Sequence, residues 1–133
     1  MIVDTSALIA ILNGEPERER FVDLIGKSGS VRMSVASYLE LTIVVDRRGD
    51  PVLSRRIDEL LAALGVELVD VTADHARTAR SAYRDFGRGS GHPAGLNFGD
   101  CFAYALAQES RQTLLFKGDD FGHTDIRPAA DSP

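Results

Sequence analysis

Five carboxylates and one hydroxyl stand where they could do chemistry. Asp4 follows the apolar pair Ile2-Val3, and Ser6 lies two residues on. Glu40 sits among Tyr38, Leu39, Leu41 and Ile43, and Asp100 near the start of LNFGDCFAYALAQ, Leu96 to Gln108. Asp119 and Asp120 come just after the apolar run Leu114 to Phe116. Carboxylates gathered at one rim repel one another and need a counter-charge. A hard, oxygen-seeking cation such as Mg²⁺ or Mn²⁺ supplies it. His75, His92 and His123 are scattered, and there is no His or Cys cluster to favour zinc. An acid cluster of this kind suits phosphoryl chemistry. One ion lowers the pKa of a bound water, and a second, roughly 4 Å away, stabilises the leaving oxygen. No Ser-His or Cys-His pairing offers a competing nucleophile.

Each acid also has a plain structural reading. Asp4 or Ser6 can cap the helix that follows. Asp100 falls where orphan amides and the helix macrodipole favour an anion. Ser37-Tyr38-Leu39-Glu40 fits the capping-box pattern, whereas a helix begun at Ser34 would put Glu40 in its second turn, free to reach inward. Spacing alone leaves both readings open.

The elements that must position these acids alternate between helix and short apolar strand. Ile2-Val3 ends a first strand, and a helix from Ala7 to Leu12 stops at Asn13-Gly14. Pro16 opens a second helix reaching Ile25. Val31 to Met33 is a second strand, and the third helix, carrying Glu40, follows a cap at Ser34 or Ser37. Asp50-Pro51 opens a fourth helix that Gly65 closes. Val66 to Val71 is a strand and Thr72 to Phe86 a fifth helix, with Arg77, Arg80 and Arg84 as a solvent-facing stripe. Gly87 to Gly95 reads as a mobile loop, a candidate substrate flap. It leads into the helix of Asp100, which is apolar on most of its surface. Leu114 to Phe116 is the last strand, and 125–133 reads as a polar, loosely held tail. This alternation predicts an α/β fold, a central and mainly parallel sheet covered on both faces. Asp4 and Asp119-Asp120 then lie just past strand ends, where such sheets bind ligands.

Bulk composition agrees with a single domain over residues 1–133. The chain has 133 residues, 44% hydrophobic and 26% charged, the balance of a globular protein. The one cysteine, Cys101, excludes an internal disulfide, reads as core packing and suits a reducing, cytoplasmic setting. No apolar run is long enough for a membrane span. A net charge of −5 argues against nucleic acid as a partner, but two divalent cations in one acid cluster would nearly cancel it.

Four stretches, IVDTSALIAIL, the helix with Glu40, LNFGDCFAYALA and LLFKGDDFGHTDI, come in an order and spacing that resembles PIN-domain ribonucleases. More narrowly, the chain resembles VapC-type toxins of toxin–antitoxin pairs, over nearly its whole length. The resemblance implies a three-layer α/β/α fold and Mg²⁺- or Mn²⁺-dependent endonucleolytic cleavage of RNA. It implies a homodimer and a VapB-type antitoxin as partner. Matched residue by residue, Asp4 and Asp100 are the principal metal ligands, Glu40 the helical acid and Ser6 the hydroxyl supporting the first acid. Asp120 is favoured as the fourth acid, with Asp119 second.

Two other classes remain to be weighed. An aspartyl-nucleophile phosphatase would share Asp4 and Gly118-Asp119-Asp120, yet such enzymes want an acid two residues after the nucleophile, and here that position is Ser6. A receiver-like signalling module would use an acidic pocket with Lys117 beside it. It would also need an Asp ending a middle strand, and Asp70 is followed by Val71.

Overall fold

The computed structural model describes residues 1–129. Four short strands form one parallel sheet: β1 (Ile2–Val3), β2 (Val31–Ser34), β3 (Val66–Val69) and β4 (Leu114–Leu115), in the order β3-β2-β1-β4. The first strand is therefore central. Ile2 pairs with Arg32 on one side and with Leu114 on the other, and Val3 pairs with Leu115.

Because successive strand residues face opposite ways, the sheet feeds two separate cores. Ile2 and Leu114 point towards α5 (Ala73–Phe86) and α6 (Phe98–Ser110), meeting Ala79, Ala82, Ala103 and Leu106. Val3 and Leu115 point the other way, towards α1 (Thr5–Leu12), α2 (Arg18–Lys27), α3 (Val35–Asp46) and α4 (Pro51–Leu64). There they meet Leu8, Phe21, Leu41 and Ile57. The result is the three-layer α/β/α arrangement expected from the alternation of elements. Leu8, Met33 and Leu41 are almost wholly buried, and truncating any of them to alanine would cost about 2–5 kcal/mol.

Local chemistry sets the helix ends. Asp50 accepts from the Val52 and Leu53 amides at the start of α4, and Gly65 ends that helix at φ 69°, the left-handed region that favours glycine. Ser34, not Ser37, caps α3 by accepting from the Ala36 amide. Pro16 lies two residues before α2, which begins at Arg18. The strand from Val66 stops at Val69, and the last strand stops at Leu115.

Two expectations fail. The 87–95 loop is not a free flap. The Leu96 amide donates to Phe86 O and the Arg88 amide to Leu96 O, so the loop is closed at its base. Ala94 is buried, and His92 meets the Phe86 ring edge-on at 4.9 Å. Nor is the segment after residue 124 loosely held. The Asp125 carboxylate accepts hydrogen bonds from Tyr104 and Gln108, and Ile126 is buried. Leu114 bridges to Pro128, which extends the sheet's edge. Polar composition suggested a tail, but each residue from Asp125 to Ala129 is held by a hydrogen bond, a bridge to Leu114 or burial. The rest of that stretch, 130–133, lies outside the described residues.

Candidate active site

β1 and β4 end side by side, and the carboxylates gather beyond them. Asp4 is the last extended residue before α1 and caps that helix. Its Oδ2 accepts from the Ser6 amide at 3.0 Å and from the Ser6 hydroxyl at 2.6 Å. Its Oδ1 is buried and has no hydrogen-bond partner. A buried carboxylate oxygen without a donor carries a desolvation cost of about 1–3 kcal/mol or more. Burial accordingly pushes the Asp4 carboxyl up to about 6, with the Glu40 charge adding to the rise and the Ser6 hydrogen bonds opposing it.

Ser6 does two jobs with one oxygen. While its hydroxyl donates to Asp4, it accepts from the Lys117 amide at 3.0 Å. Lys117 follows β4, so this bond ties the ends of the two strands through the side chain of Ser6. The adjacent Thr5 makes a similar tie to the third helix, donating from Oγ1 to Ser37 O at 3.0 Å.

Glu40 occupies the second turn of α3, because Ser34 is the cap, so it takes no part in a capping box. Its carboxyl lies against the first turn of α6. A methyl group built on Gly99 would sit 1.9 Å from Glu40 Oε2, nearer than atoms pack. Only a residue without a side chain lets the Glu40 carboxyl approach this close to Asp100. A glycine in the first turn of an otherwise apolar helix was the signal for this contact.

Asp100 is half-buried. With Asn97 it forms a reciprocal cap: Asn97 Oδ1 accepts from the Asp100 amide at 2.8 Å, and Asp100 Oδ2 accepts from the Asn97 amide at 3.0 Å. Burial pushes the Asp100 carboxyl up to about 7, opposed by the Asn97 hydrogen bond and reinforced by the charges of Asp4, Asp120 and Glu40. Capping and membership of the acid cluster therefore coexist in both Asp4 and Asp100.

The acidic pair separates in the fold. Both residues are exposed. Asp120 stands before a 3₁₀ turn, Phe121–His123, without spending its carboxyl on a capping bond, and its charge is felt by Asp100. Asp119 contributes its backbone oxygen to the Gly122 amide and is not among the charges acting on Asp4 or Asp100.

No cation neutralises this rim. Among the described residues, none of the ion pairs includes Asp4, Glu40, Asp100 or Asp120. Lys117, the basic residue nearest in sequence to the acidic pair, turns its ammonium to Glu15 at 2.8 Å and Glu17 at 3.1 Å. A receiver-like pocket would need that ammonium at the acids, so the arrangement does not favour it. The scattered histidines serve local structure: His75 Nδ1 accepts from the Thr72 amide in the α5 capping box, and His92 Nδ1 from the Ala94 amide. Cys101 is buried, as expected of a packing residue.

The donors fit a hard divalent ion in kind, being all oxygen, with one buried oxygen unpartnered and the Asp4 and Asp100 carboxyls holding protons more tightly than usual. They do not form a finished shell: among the described residues, no three Asp, Glu, His or Cys side chains close on a single point. The site is an open acidic rim on a rigid base.

With this geometry in view, the comparisons are decisive. A family model for the PIN domain matches residues 1–127. Ribonuclease VapC28 of Mycobacterium tuberculosis is 55% identical over 131 residues, 98% of each chain. The chain belongs to the PIN-domain family, among the VapC ribonucleases. Solved structures carry the same fold at low identity. The crystal structure of Mycobacterium tuberculosis VapC20, a sarcin–ricin-loop-cleaving toxin, aligns with a TM-score of 0.72 at 20% identity. It covers 96% of this chain and 98% of that one. A toxin–antitoxin complex from Klebsiella pneumoniae aligns with a TM-score of 0.68 at 17% identity, covering 90% and 88%.

Beside the acids this PIN domain exposes a largely apolar face. Leu39, Ile43 and Val44 of α3, Phe98 of α6 and Tyr83 of α5 are all exposed, although large and mostly apolar. They line two grooves on either side of Phe98 and Phe102, of about 310 Å³ and 260 Å³, the larger reaching Glu40 and Gly99 and the smaller reaching Arg80. No helix of the described chain is long and apolar enough to cross a membrane.

Proposed function

We propose that this PIN domain is the toxin of a toxin–antitoxin pair, an endoribonuclease that hydrolyses RNA phosphodiester bonds at the acidic rim. The observation that carries the reading is the gathering of Asp4, Glu40, Asp100 and Asp120 past the ends of β1 and β4, with none of the four in an ion pair among the described residues. Relatives at 50–55% identity bear the name VapC ribonuclease, which supports RNA as the substrate.

In this reading Asp4 and Asp100 hold Mg²⁺ or Mn²⁺, with Glu40 and Asp120 completing the acidic surround. The ion, when bound, polarises the scissile phosphate and makes water a better nucleophile. The chain's own contributions follow from its contacts. Ser6 fixes the orientation of the Asp4 carboxylate and, through the Lys117 amide, keeps it in register with β4. Glu40, pressed against Gly99, stands where it accepts the proton of the attacking water. Water adds to phosphorus, the bond to the leaving nucleotide's oxygen breaks, and that oxygen takes a proton from solvent. Asp120, exposed and free of capping bonds, closes the solvent side of the rim.

A VapB-type antitoxin is the partner that restrains the activity, in the cytoplasm. We assign the largely apolar face around Phe98 to a second copy of this chain. Contiguous apolar patches are rarely left bare in monomers. A chain of net charge −5 meets its own copy with least repulsion through a surface poor in charge.

The test is cleavage of total cellular RNA by the antitoxin-free protein with Mg²⁺, with Mn²⁺, with chelator and as Asp100→Asn. Discrete fragments that disappear with chelator and in the variant support the reading. Intact RNA under both metals, with phosphate released from a small phosphomonoester, would replace it with the phosphatase.

A further inference from the structure

One polar network, anchored on a buried tyrosine and closed by an exposed carboxylate, lies outside the rim yet is wired to it. Tyr104 is on α6, one turn after Asp100, and is almost fully buried. Its hydroxyl donates to Asp125 Oδ1 at 2.6 Å. Gln108, a further turn along, donates from Nε2 to the Tyr104 hydroxyl at 3.0 Å and to Asp125 Oδ2 at 2.9 Å. The three side chains form a closed triangle in which both carboxylate oxygens of Asp125 are used. Tyr104 is packed from behind by Phe86, at 5.9 Å between ring centroids.

Between Asp120 and Asp125 the chain has little freedom. The Gly122 amide donates to Asp119 O, and the Thr124 amide and hydroxyl both donate to Phe121 O. Phe121 is buried against Phe116, and Ile126 is buried on the other side of Asp125. A residue clamped at 125 therefore fixes the segment back to 120. The clamp is on α6, the helix that also carries Asp100.

We propose that Tyr104, Gln108 and Asp125 are positioning residues that hold Asp120 at a set separation from Asp100 by referring both acids to one helix. The proposal rests on the reading of Asp120 as the fourth acid of the rim. Tyr104 touches none of the reacting groups and acts only through the 120–125 segment. Misplacing a reacting group by about 1 Å can cost roughly a hundredfold in rate. Losing the clamp is thus a loss in kcat, with little change in the grip on RNA.

The experiment is a double-mutant cycle on the full chain, with Tyr104→Phe, Asp120→Asn and the two combined. RNA cleavage, melting temperature and Mn²⁺ binding by calorimetry without RNA are measured for each. Tyr104→Phe is expected to lower kcat about tenfold to a hundredfold with KM within about twofold, and to weaken Mn²⁺ binding. In the Asp120→Asn background it should add nothing to either loss, while lowering the melting temperature equally in both backgrounds. Asp125→Asn sets an amide against Gln108 but keeps an acceptor for Tyr104, so it tests the clamp without removing a ring substituent from the core. It should move kcat in the same direction. A Tyr104→Phe loss of the same size in both backgrounds would overturn the positioning role alone. An Asp120→Asn protein as active as the parent would overturn the fourth-acid reading, and the positioning role with it.

Discussion

Replacing Asp100 by asparagine is expected to abolish cleavage and yet to protect the fold at alkaline pH. The Asp100 carboxyl is raised from 3.8 to about 7 in the folded protein, mainly by burial. Because the folded value lies above the unfolded one, the folded state keeps a proton that the unfolded chain releases. That contribution to stability is complete below about pH 4 and is lost as pH rises towards 7. Between pH 5 and pH 8 the loss would be about 3 kcal/mol at 1.4 kcal/mol per pH unit. Solvent reaches this half-buried side chain, and its rise is shared with Asp4, so screening leaves on the order of 1–2 kcal/mol. Asparagine gives up the favourable charge at the α6 N-terminus, about 0.3–1 kcal/mol, but can still accept from the Asn97 amide. The variant should therefore gain on the parent by about 1 kcal/mol between pH 5 and pH 8, or about 3 °C in melting temperature. The assay is thermal melting of both proteins in chelator across that range. Adding Mn²⁺ at pH 8 should raise the parent's melting temperature and leave the variant's nearly unchanged. If the gap between the two proteins is the same at pH 5 and pH 8, the acids do not oppose one another and the electrostatic argument fails.

Other outcomes follow from individual contacts. Gly99→Ala should behave in RNA cleavage like Glu40→Gln, each losing at least about a hundredfold, because the new methyl group displaces the Glu40 carboxyl; a fully active Gly99→Ala protein would contradict the packing. Ser6→Ala removes the donor to Asp4 and the acceptor for Lys117. It should cost about 1–3 kcal/mol in chemical denaturation and move the acidic limb of the pH–rate profile upward, since the hydroxyl bond that lowers the Asp4 carboxyl is lost while the backbone amide bond remains. Phe98→Asp places a charge in the middle of the largely apolar face. Light scattering should then show a monomer where the parent is a dimer, with the melting temperature changed by no more than a few degrees.

Much of the fold was legible because its signals are local. The Asp50-Pro51 start and Gly65 stop of α4 needed only the residues in place, and the alternation of strand with helix fixed a parallel sheet. The nearness of Asp4 and Asp120 followed from their place after strands, while Asp119 turned out to face away from the other acids' charges. What spacing could not decide was how Glu40 and Asp100 face each other. That depends on α3 and α6 meeting across Gly99, a contact between residues far apart in sequence. Capping and acid-cluster readings looked like rivals for Asp4 and Asp100 only because a sequence does not show that a carboxylate has two oxygens to spend. The Lys117 amide and the Thr5 hydroxyl escaped for a similar reason, since their partners are distant. The segment after residue 124 misled through its polarity: the partners of Asp125 lie on α6, 17 and 21 positions away.

The bond from the Lys117 amide to Ser6, 111 positions apart, also sets when the enzyme can exist. The central strand β1 is made first, yet one of its two edges stays bare until β4 emerges, and Asp4 lacks its fixed orientation until then. A growing chain that has not yet released Leu114 to Lys117 from the ribosome has neither the completed sheet nor Asp120. For a protein that cuts RNA while itself being read from RNA, this order of assembly keeps the blade unformed until the segment from Leu114 to Asp120 has been translated.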